Sequence, residues 1–203
     1  MGKGEQTRAL ILLEALGLAS QVGIEGLTIG VLAERLKLSK SGLFARFGSR
    51  EELQLAVVQA AQDEFTALAV KPALAAPRGL ARLRALFGLW LGRLDVEGRP
   101  GGCPLLGAAA EFDDQPGPVR DQLARGQRAL RDILSGAVTR AVETGELRAD
   151  TDAAQLAFEL FGLILATHHD LRLLGDAGAP GRALRGMERM LALHQPSSSA
   201  ANG

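Results

Sequence analysis

The sequence predicts an all-α fold. Apolar residues recur at three- and four-residue spacing nearly throughout, and no stretch shows the strict alternation of a half-buried strand. Glycine, proline and small polar residues punctuate the ends of the periodic stretches. With 203 residues, there is room for one large domain or a small module followed by a larger one.

The first helix covers about residues 5–22, rich in Leu and Ala, with Gly23 as its stop. Thr28 can N-cap a second, short helix, because its hydroxyl accepts from a free N–H of the first turn. Val31, Leu32, Ala33 and Leu36 make its apolar side, and the small Ala33 lets a following helix cross closely. Ser39 caps a third helix that carries Leu43, Phe44 and Phe47 inward. Gly48 is expected to end it in the left-handed conformation. Ser49 and Glu52 then form a capping box for a fourth helix. Two short helices joined by a tight turn make a helix-turn-helix, closed with the first helix around Leu12, Leu16, Leu32, Leu36, Leu43 and Phe47.

The fourth helix is expected over residues 49–70, ended by Lys71-Pro72, and the fifth over 78–95, with Leu83, Leu86, Phe87, Trp90 and Leu94 on a broad apolar face. A Gly/Pro loop at 98–102, an apolar segment at 103–112 and a break at 113–118 follow. A long charged helix then runs to about Thr144, stopped by Gly145. Asp150 is the expected cap of a helix over 151–174 that is apolar on nearly all sides and must be covered on more than one face. A last helix spans residues 180–193, and 196–203 reads as a disordered tail.

Composition narrows the class. Hydrophobic residues make up 47% of the chain, ample for a core. The single cysteine, Cys103, excludes an intramolecular disulfide and suits a reducing compartment. No apolar run reaches membrane-spanning length, and the N-terminus lacks a signal peptide's layout, so a soluble cytoplasmic protein is expected. His168-His169-Asp170 is the one cluster resembling metal ligands, but adjacent histidines on a helix point about 100° apart and do not face one ion. Cys103-Pro104 has no His or acidic neighbour that would activate a thiol. Glu111-Phe112-Asp113-Asp114 reads as a loop with a helix cap rather than as a general-base or cation site. No enzyme motif, cofactor motif or metal site stands out.

Charge singles out the helix-turn-helix. The chain is neutral, with 23 basic and 23 acidic side chains, yet from Arg35 to Arg50 the charged residues are Arg35, Lys37, Lys40, Arg46 and Arg50, all positive. Phosphate contacts need local rather than global positive charge. Ser39, Lys40, Ser41 and Gly42 form the N-terminal turn of the third helix, the part that enters a major groove in such motifs. On charge alone, a nucleic-acid surface and an ordinary solvated helix face both remain open.

Residues 28–53 resemble the N-terminal signature of the TetR-type (TetR/AcrR) transcriptional regulators. That signature runs as a threonine, Ile-Ala, then Ala-Gly-Val-Ser-Lys-Gly-Thr-Leu-Tyr-His-His-Phe and Ser-Lys-Glu-x-Leu. Here it reads Thr28, Leu32-Ala33, residues 36–47 (LKLSKSGLFARF) and Ser49-Arg50-Glu51-Glu52-Leu53, without a gap. The departures are specific. The turn glycine is Lys37, which costs on the order of 1 kcal/mol if the position is left-handed. The phosphate-contacting tyrosine is Phe44, and the histidine pair is Ala45-Arg46, whose Arg46 offers a charged replacement contact. Arg50 stands in place of lysine at the start of the next helix, where it and the free N–H groups can meet one phosphate.

The resemblance implies a DNA-binding domain at residues 1–48 and a helical ligand-binding and dimerisation domain at 49–195. It implies operator contacts by Thr28, Ser39, Lys40, Ser41, Gly42, Phe44, Arg46 and Arg50. It also implies a homodimer through the last two long helices, with Leu163 and Ile164 as expected interface positions, and a double-stranded DNA operator as partner. A pocket for a small apolar or aromatic effector would be lined by Phe87, Trp90, Cys103, Leu106, Phe112, Phe158 and Phe161; read without the family, the same aromatics are ordinary core. The functional expectation is a ligand-responsive repressor. A helical small-molecule- or partner-binding protein without operator recognition is the alternative, supported by Lys37 and Phe44.

Overall fold

The computed structural model describes residues 3–94 and 101–196, and among them every regular element is helical. The order is α1 (Lys3–Val22), α2 (Ile29–Leu36), α3 (Lys40–Phe47), α4 (Arg50–Phe65), a π-helical turn (Thr66–Val70), α5 (Lys71–Leu74) and α6 (Leu80–Gly92). Then come α7 (Pro104–Phe112), α8 (Pro118–Glu143), α9 (Ala153–His169), a second π-helical turn (Asp170–Leu174) and α10 (Ala179–His194). The residues group into two compact units, one within Met1–Thr66 and Asp95–Gln127, the other within Ala67–Leu94 and Arg128–Gly203. No helix of the described residues is long and apolar enough to cross a membrane.

In the first unit α1 packs on α2, α4 and α7. Its core is Ile11, Ala15, Leu16, Ala19, Ile24, Leu27, Leu32, Leu43 and Phe47, closed from α4 by Leu53, Val57 and Val58. Each such large side chain contributes about 1.5–3 kcal/mol on burial. Leu12 and Leu36, expected in this core, are only half-buried. Phe44 does not point inward as its spacing suggested; it is 59% exposed. Where α4 meets α8 the contact is polar: Gln62 donates to the Gln122 carbonyl at 3.3 Å, and Gln122 donates to Gln59 at 3.1 Å.

The second unit is built on α6, α9 and α10. Its core holds Leu83, Leu86, Phe87 and Trp90 from α6, Leu134 and Val138 from α8, Leu156, Leu160 and Ile164 from α9, and Met187 and Leu191 from α10. Arg84 and Glu188 pair through two hydrogen bonds of 2.8 Å, which lower the Glu188 carboxyl and raise the Arg84 guanidinium from their ordinary values. Both side chains are largely solvated, so the pair adds at most about 1 kcal/mol.

Several boundaries differ from the sequence reading, each for a local reason. Pro72 does not end the fourth helical stretch: the π-helical turn before it places the proline in the first turn of α5, where a missing N–H is tolerated. Asp152, not Asp150, caps α9, accepting from the N–H groups of Ala154 (2.9 Å) and Gln155 (3.0 Å), while Asp150 pairs with Arg148. Of the loop expected at 98–102, residues 98–100 lie outside the described residues, as do 197–203 of the expected tail.

The expected interface positions on α9 are also corrected. Ile164 is fully buried in its own unit and Leu163 is half-buried over Gly186 of α10. The solvent stripe of the helix runs instead through Phe158, Gly162, Leu165, Ala166 and His169 to Leu173, at the four-residue spacing of one helix face.

His169 Nδ1 lies 3.1 Å from Asp170 Oδ1, whereas the half-buried His168 has its Nε2 shielded without a partner. Burial, then Arg172 and His169, hold the His168 imidazole below its ordinary value of 6.5. The unfolded chain therefore takes up this proton first, and stability falls as pH drops through and below 6.5. Acidification from about pH 7.5 to about pH 5.5 is expected to lower the thermal midpoint of the parent more than that of His168→Leu. An equal fall in both proteins would remove His168 as a cause.

Candidate nucleic-acid interface

The surface that could meet DNA is assembled by caps. Thr28 Oγ1 accepts from the Val31 N–H at 3.1 Å and starts α2. α2 ends in a Schellman arrangement, with the Lys37 N–H on the Glu34 carbonyl (3.2 Å) and the Leu38 N–H on the Ala33 carbonyl (3.0 Å). That closure forces Lys37 to φ 54°, ψ 37°, the one left-handed non-glycine among the described residues. A side chain there costs about 1–2 kcal/mol. The lysine's charge at the C-terminal end of α2 offsets part of it, about 0.3–1 kcal/mol.

Two residues later Ser39 caps α3, its Oγ accepting from the Gly42 N–H at 3.1 Å, with the Ser41 hydroxyl 3.4 Å away. Leu43 and Phe47 anchor the helix inward, and the Arg8 guanidinium lies 5.3 Å from the centre of the Phe47 ring. Everything else on α3 faces solvent: Lys40, Ser41, Gly42, Phe44, Ala45 and Arg46 are exposed. The helix ends at Gly48, but not in the left-handed well expected for it. At φ 74°, ψ −56°, with the Ser49 N–H on the Phe47 carbonyl at 2.8 Å, Gly48 is the centre of a positive-φ γ-turn. The Ser49 N–H is thereby used, so of the expected capping box the Ser49 arm is made, accepting from the Glu52 N–H at 3.0 Å.

Arg50 is turned away from α3. Its guanidinium donates to the Glu25 carbonyl in the turn between α1 and α2, beside a cavity of about 310 Å³ that Gln54, Phe112 and Arg120 also line. The same turn is gripped twice more: the buried Gln54 donates from Nε2 to the Ile24 carbonyl at 2.8 Å, and Glu111 of α7 accepts from the Glu25 N–H at 2.8 Å. Gly23, at φ 79°, passes so close to Glu111 that a Cβ would collide with its carboxylate. Sequence reasoning assigned Glu111 no part in this; the available signal was a lone acid closing an otherwise apolar helix, Pro104–Phe112.

The seven residues expected to line an effector pocket do not lie in one unit. Phe87, Trp90 and Phe161 are buried in the second unit, where the Trp90 and Phe161 rings sit 5.7 Å apart, tilted by 56°. Cys103, Leu106 and Phe112 are buried in the first. Phe158 is in neither core: it is 58% exposed, with the Arg131 guanidinium 5.9 Å from its ring and 4.5 Å from that of Phe161. Among the described residues no group of three or more His, Cys, Asp or Glu could hold a metal ion.

Comparison with known proteins places this geometry. The family model described as bacterial regulatory proteins, tetR family, matches residues 11–57, which contain the helix-turn-helix, and the tetracyclin repressor-like C-terminal domain matches residues 79–187. The chain belongs to the TetR family. It is thus a transcriptional regulator, and its helix-turn-helix implies DNA binding. A Bacillus subtilis (strain 168) relative, the uncharacterized HTH-type transcriptional regulator YezE, is 26% identical over 160 residues, 77% of this chain and 82% of its own. A TetR transcriptional regulator from Chloroflexus aurantiacus has the same fold, with a TM-score of 0.86 at 24% identity over 96% of this chain and 98% of its own. AibR, solved in complex with isovaleryl coenzyme A and operator DNA, aligns with a TM-score of 0.72 at 20% identity over 93% and 97%.

Within this TetR-family head, Lys37 carries a strain that glycine would not. Lys37→Gly is expected to change stability by no more than about 1 kcal/mol, because relief of the left-handed side chain (about 1–2 kcal/mol) is offset by glycine's own entropy cost (about 0.5–1) and the missing helix-end charge (about 0.3–1). Urea midpoints of the two proteins measure it, with Lys37→Val as the strained control. A Lys37→Gly protein destabilised by clearly more than about 1 kcal/mol would mean that the lysine side chain makes an interaction worth more than the strain.

Proposed function

We propose that this chain is a ligand-responsive, homodimeric transcriptional repressor that acts in the cytoplasm and binds a pseudo-palindromic operator through α3. Residues 1–48 are the DNA-binding domain in this reading, and 49–195 the ligand-binding and dimerisation domain. The observation that carries it is the capped, solvent-facing and acid-free α3, in a chain with no net charge. Ser39, Ser41 and Gly42 let the start of the helix approach base edges closely. Lys40 and Arg46 supply phosphate contacts, Thr28 adds a hydroxyl at the start of α2, and the exposed Phe44 ring offers an apolar contact where the family has a tyrosine hydroxyl. Arg50 gives one Nη to the Glu25 carbonyl and has further N–H groups to offer a phosphate.

The effector is a small apolar or aromatic molecule. Phe87, Trp90 and Phe161, and separately Cys103, Leu106 and Phe112, are the side chains proposed to receive it. AibR was solved with a small molecule and operator DNA together, which supports an effector for a chain of this fold. A ligand changes operator affinity only through differential binding to two arrangements of the protein, with typical coupling of about 1–3 kcal/mol. The homodimer uses the apolar stripe of α9, which the isolated chain leaves in water, with α10.

Two measurements test the reading. Lys40→Ala/Arg46→Ala is expected to weaken binding to duplex DNA from upstream of the protein's own gene, and to flatten the salt dependence by about one unit for each phosphate no longer neutralised. Unchanged affinity and slope would remove α3 from the interface. Sedimentation should find the parent dimeric at micromolar concentration and Leu165→Glu monomeric but folded. A monomeric parent, or an unaltered Leu165→Glu dimer, would refute this dimer.

A further inference from the structure

In the second unit, the end of α5, the start of α6 and the later half of α8 enclose an open cavity of about 430 Å³. Its rim carries three guanidinium groups, Arg78, Arg82 and Arg140, and Leu74, Ile133, Gly136 and Ala137 add apolar lining. Leu74 is 49% exposed there, an apolar surface left in water beside the cations. We propose that this cavity binds a soluble anionic amphiphile, a molecule with a phosphate or carboxylate head and a short apolar tail.

The three arginines differ in how they are held. Arg82 donates from Nε to the Ala76 carbonyl at 3.3 Å and from Nη2 to the carbonyls of Leu74 and Ala76, each at 3.0 Å. Those acceptors are uncharged, so the guanidinium is fixed in place with its charge unneutralised. Arg78 has no hydrogen-bond or ion-pair partner among the described residues. Arg140 pairs with Glu143 at 2.8 Å, an exposed bond that a stronger anion can exchange at little cost.

The other carboxylate nearby, Glu146, is already used: it accepts from the Leu80 N–H at 3.2 Å and from the Thr144 hydroxyl at 3.0 Å. The rim therefore keeps a net positive charge after both acids are counted. A planar guanidinium pair matches phosphate or carboxylate oxygens better than any neutral donor. A volume of this size suits a small ligand and is too confined for a membrane surface. None of Phe87, Trp90 or Phe161 lines the cavity, so this site is separate from the proposed effector site.

Gly136 permits a test that leaves every charge in place. A Cβ there meets nothing within 4 Å, so Gly136→Leu leaves the backbone unobstructed, adds bulk to the cavity lining and raises helix propensity. The test is titration calorimetry of the full chain at low salt with octyl phosphate, octanol and inorganic phosphate, alongside vesicles of anionic phospholipid. Octyl phosphate is expected to bind about tenfold or more tightly than octanol or phosphate alone, as one or two charge-assisted hydrogen bonds require. Arg78→Ala/Arg140→Ala and Gly136→Leu should each weaken it about tenfold or more, with unfolding midpoints retained. Equal binding of octyl phosphate and octanol, unchanged affinity in the folded variants, or binding to vesicles without binding to octyl phosphate would each overturn the proposal. DNA binding by the parent is unaffected by that outcome, so the two readings fail separately.

Discussion

The turn between α1 and α2 is the constraint on which the DNA-reading head depends. Backbone N–H and C=O groups taken from water need partners, and the residues of this turn are in neither helix. Side chains from elsewhere supply them: Gln54 takes the Ile24 carbonyl, Arg50 takes the Glu25 carbonyl, and Glu111 takes the Glu25 N–H. The Gln54 bond is buried, so losing it leaves an unsatisfied carbonyl in the core, a cost of about 1–3 kcal/mol. Gly23 makes the approach of Glu111 possible. The direction in which α2 leaves, and with it the placement of α3, is thus set by polar clamps from α4 and α7 as much as by the burial of Leu27 and Leu32.

This clamp was not legible in the sequence, and the reason is physical. Periodicity reports which faces are apolar, so α2 and α3, with the caps Thr28 and Ser39 and the anchors Leu43 and Phe47, could be read directly. The left-handed Lys37 was readable as a condition and is met, because a tight Schellman closure leaves one residue no other conformation. Gln54 and Glu111 reach backbone groups 30 and 86 residues away, and no local rule encodes such partners. Gly48 shows the limit from the other side: glycine announced a positive φ, but whether the chain would take a left-handed cap or a γ-turn depends on where Ser49 must send its N–H.

The second unit shows why an all-round apolar helix resists sequence reading. α9 carries apolar residues on every side, and the pattern does not say which side its own chain covers. Ile164 goes to the core, Leu163 rests on α10 over Gly186, and Phe158 and Leu165 stay in water. The aromatic cluster divides in the same way. Trp90 and Phe161 pack ring against ring and Phe87 is buried in the same unit, whereas Phe158, three residues before Phe161 and so rotated around the helix, meets solvent and Arg131. The π-helical turns that follow α4 and α9 leave no mark that composition reveals.

That the turn clamp presents the start of α3 as a sequence-reading surface is most directly tested by selecting bound duplexes from a random DNA pool. The parent should enrich an inverted repeat with half-sites about one helical turn, ~34–36 Å, or more apart. A protein with Ser41 and Ala45, both exposed on α3, replaced by glutamate should enrich nothing while remaining folded. A pool that yields no common motif with the parent, or the same motif with the glutamate variant, would contradict the account.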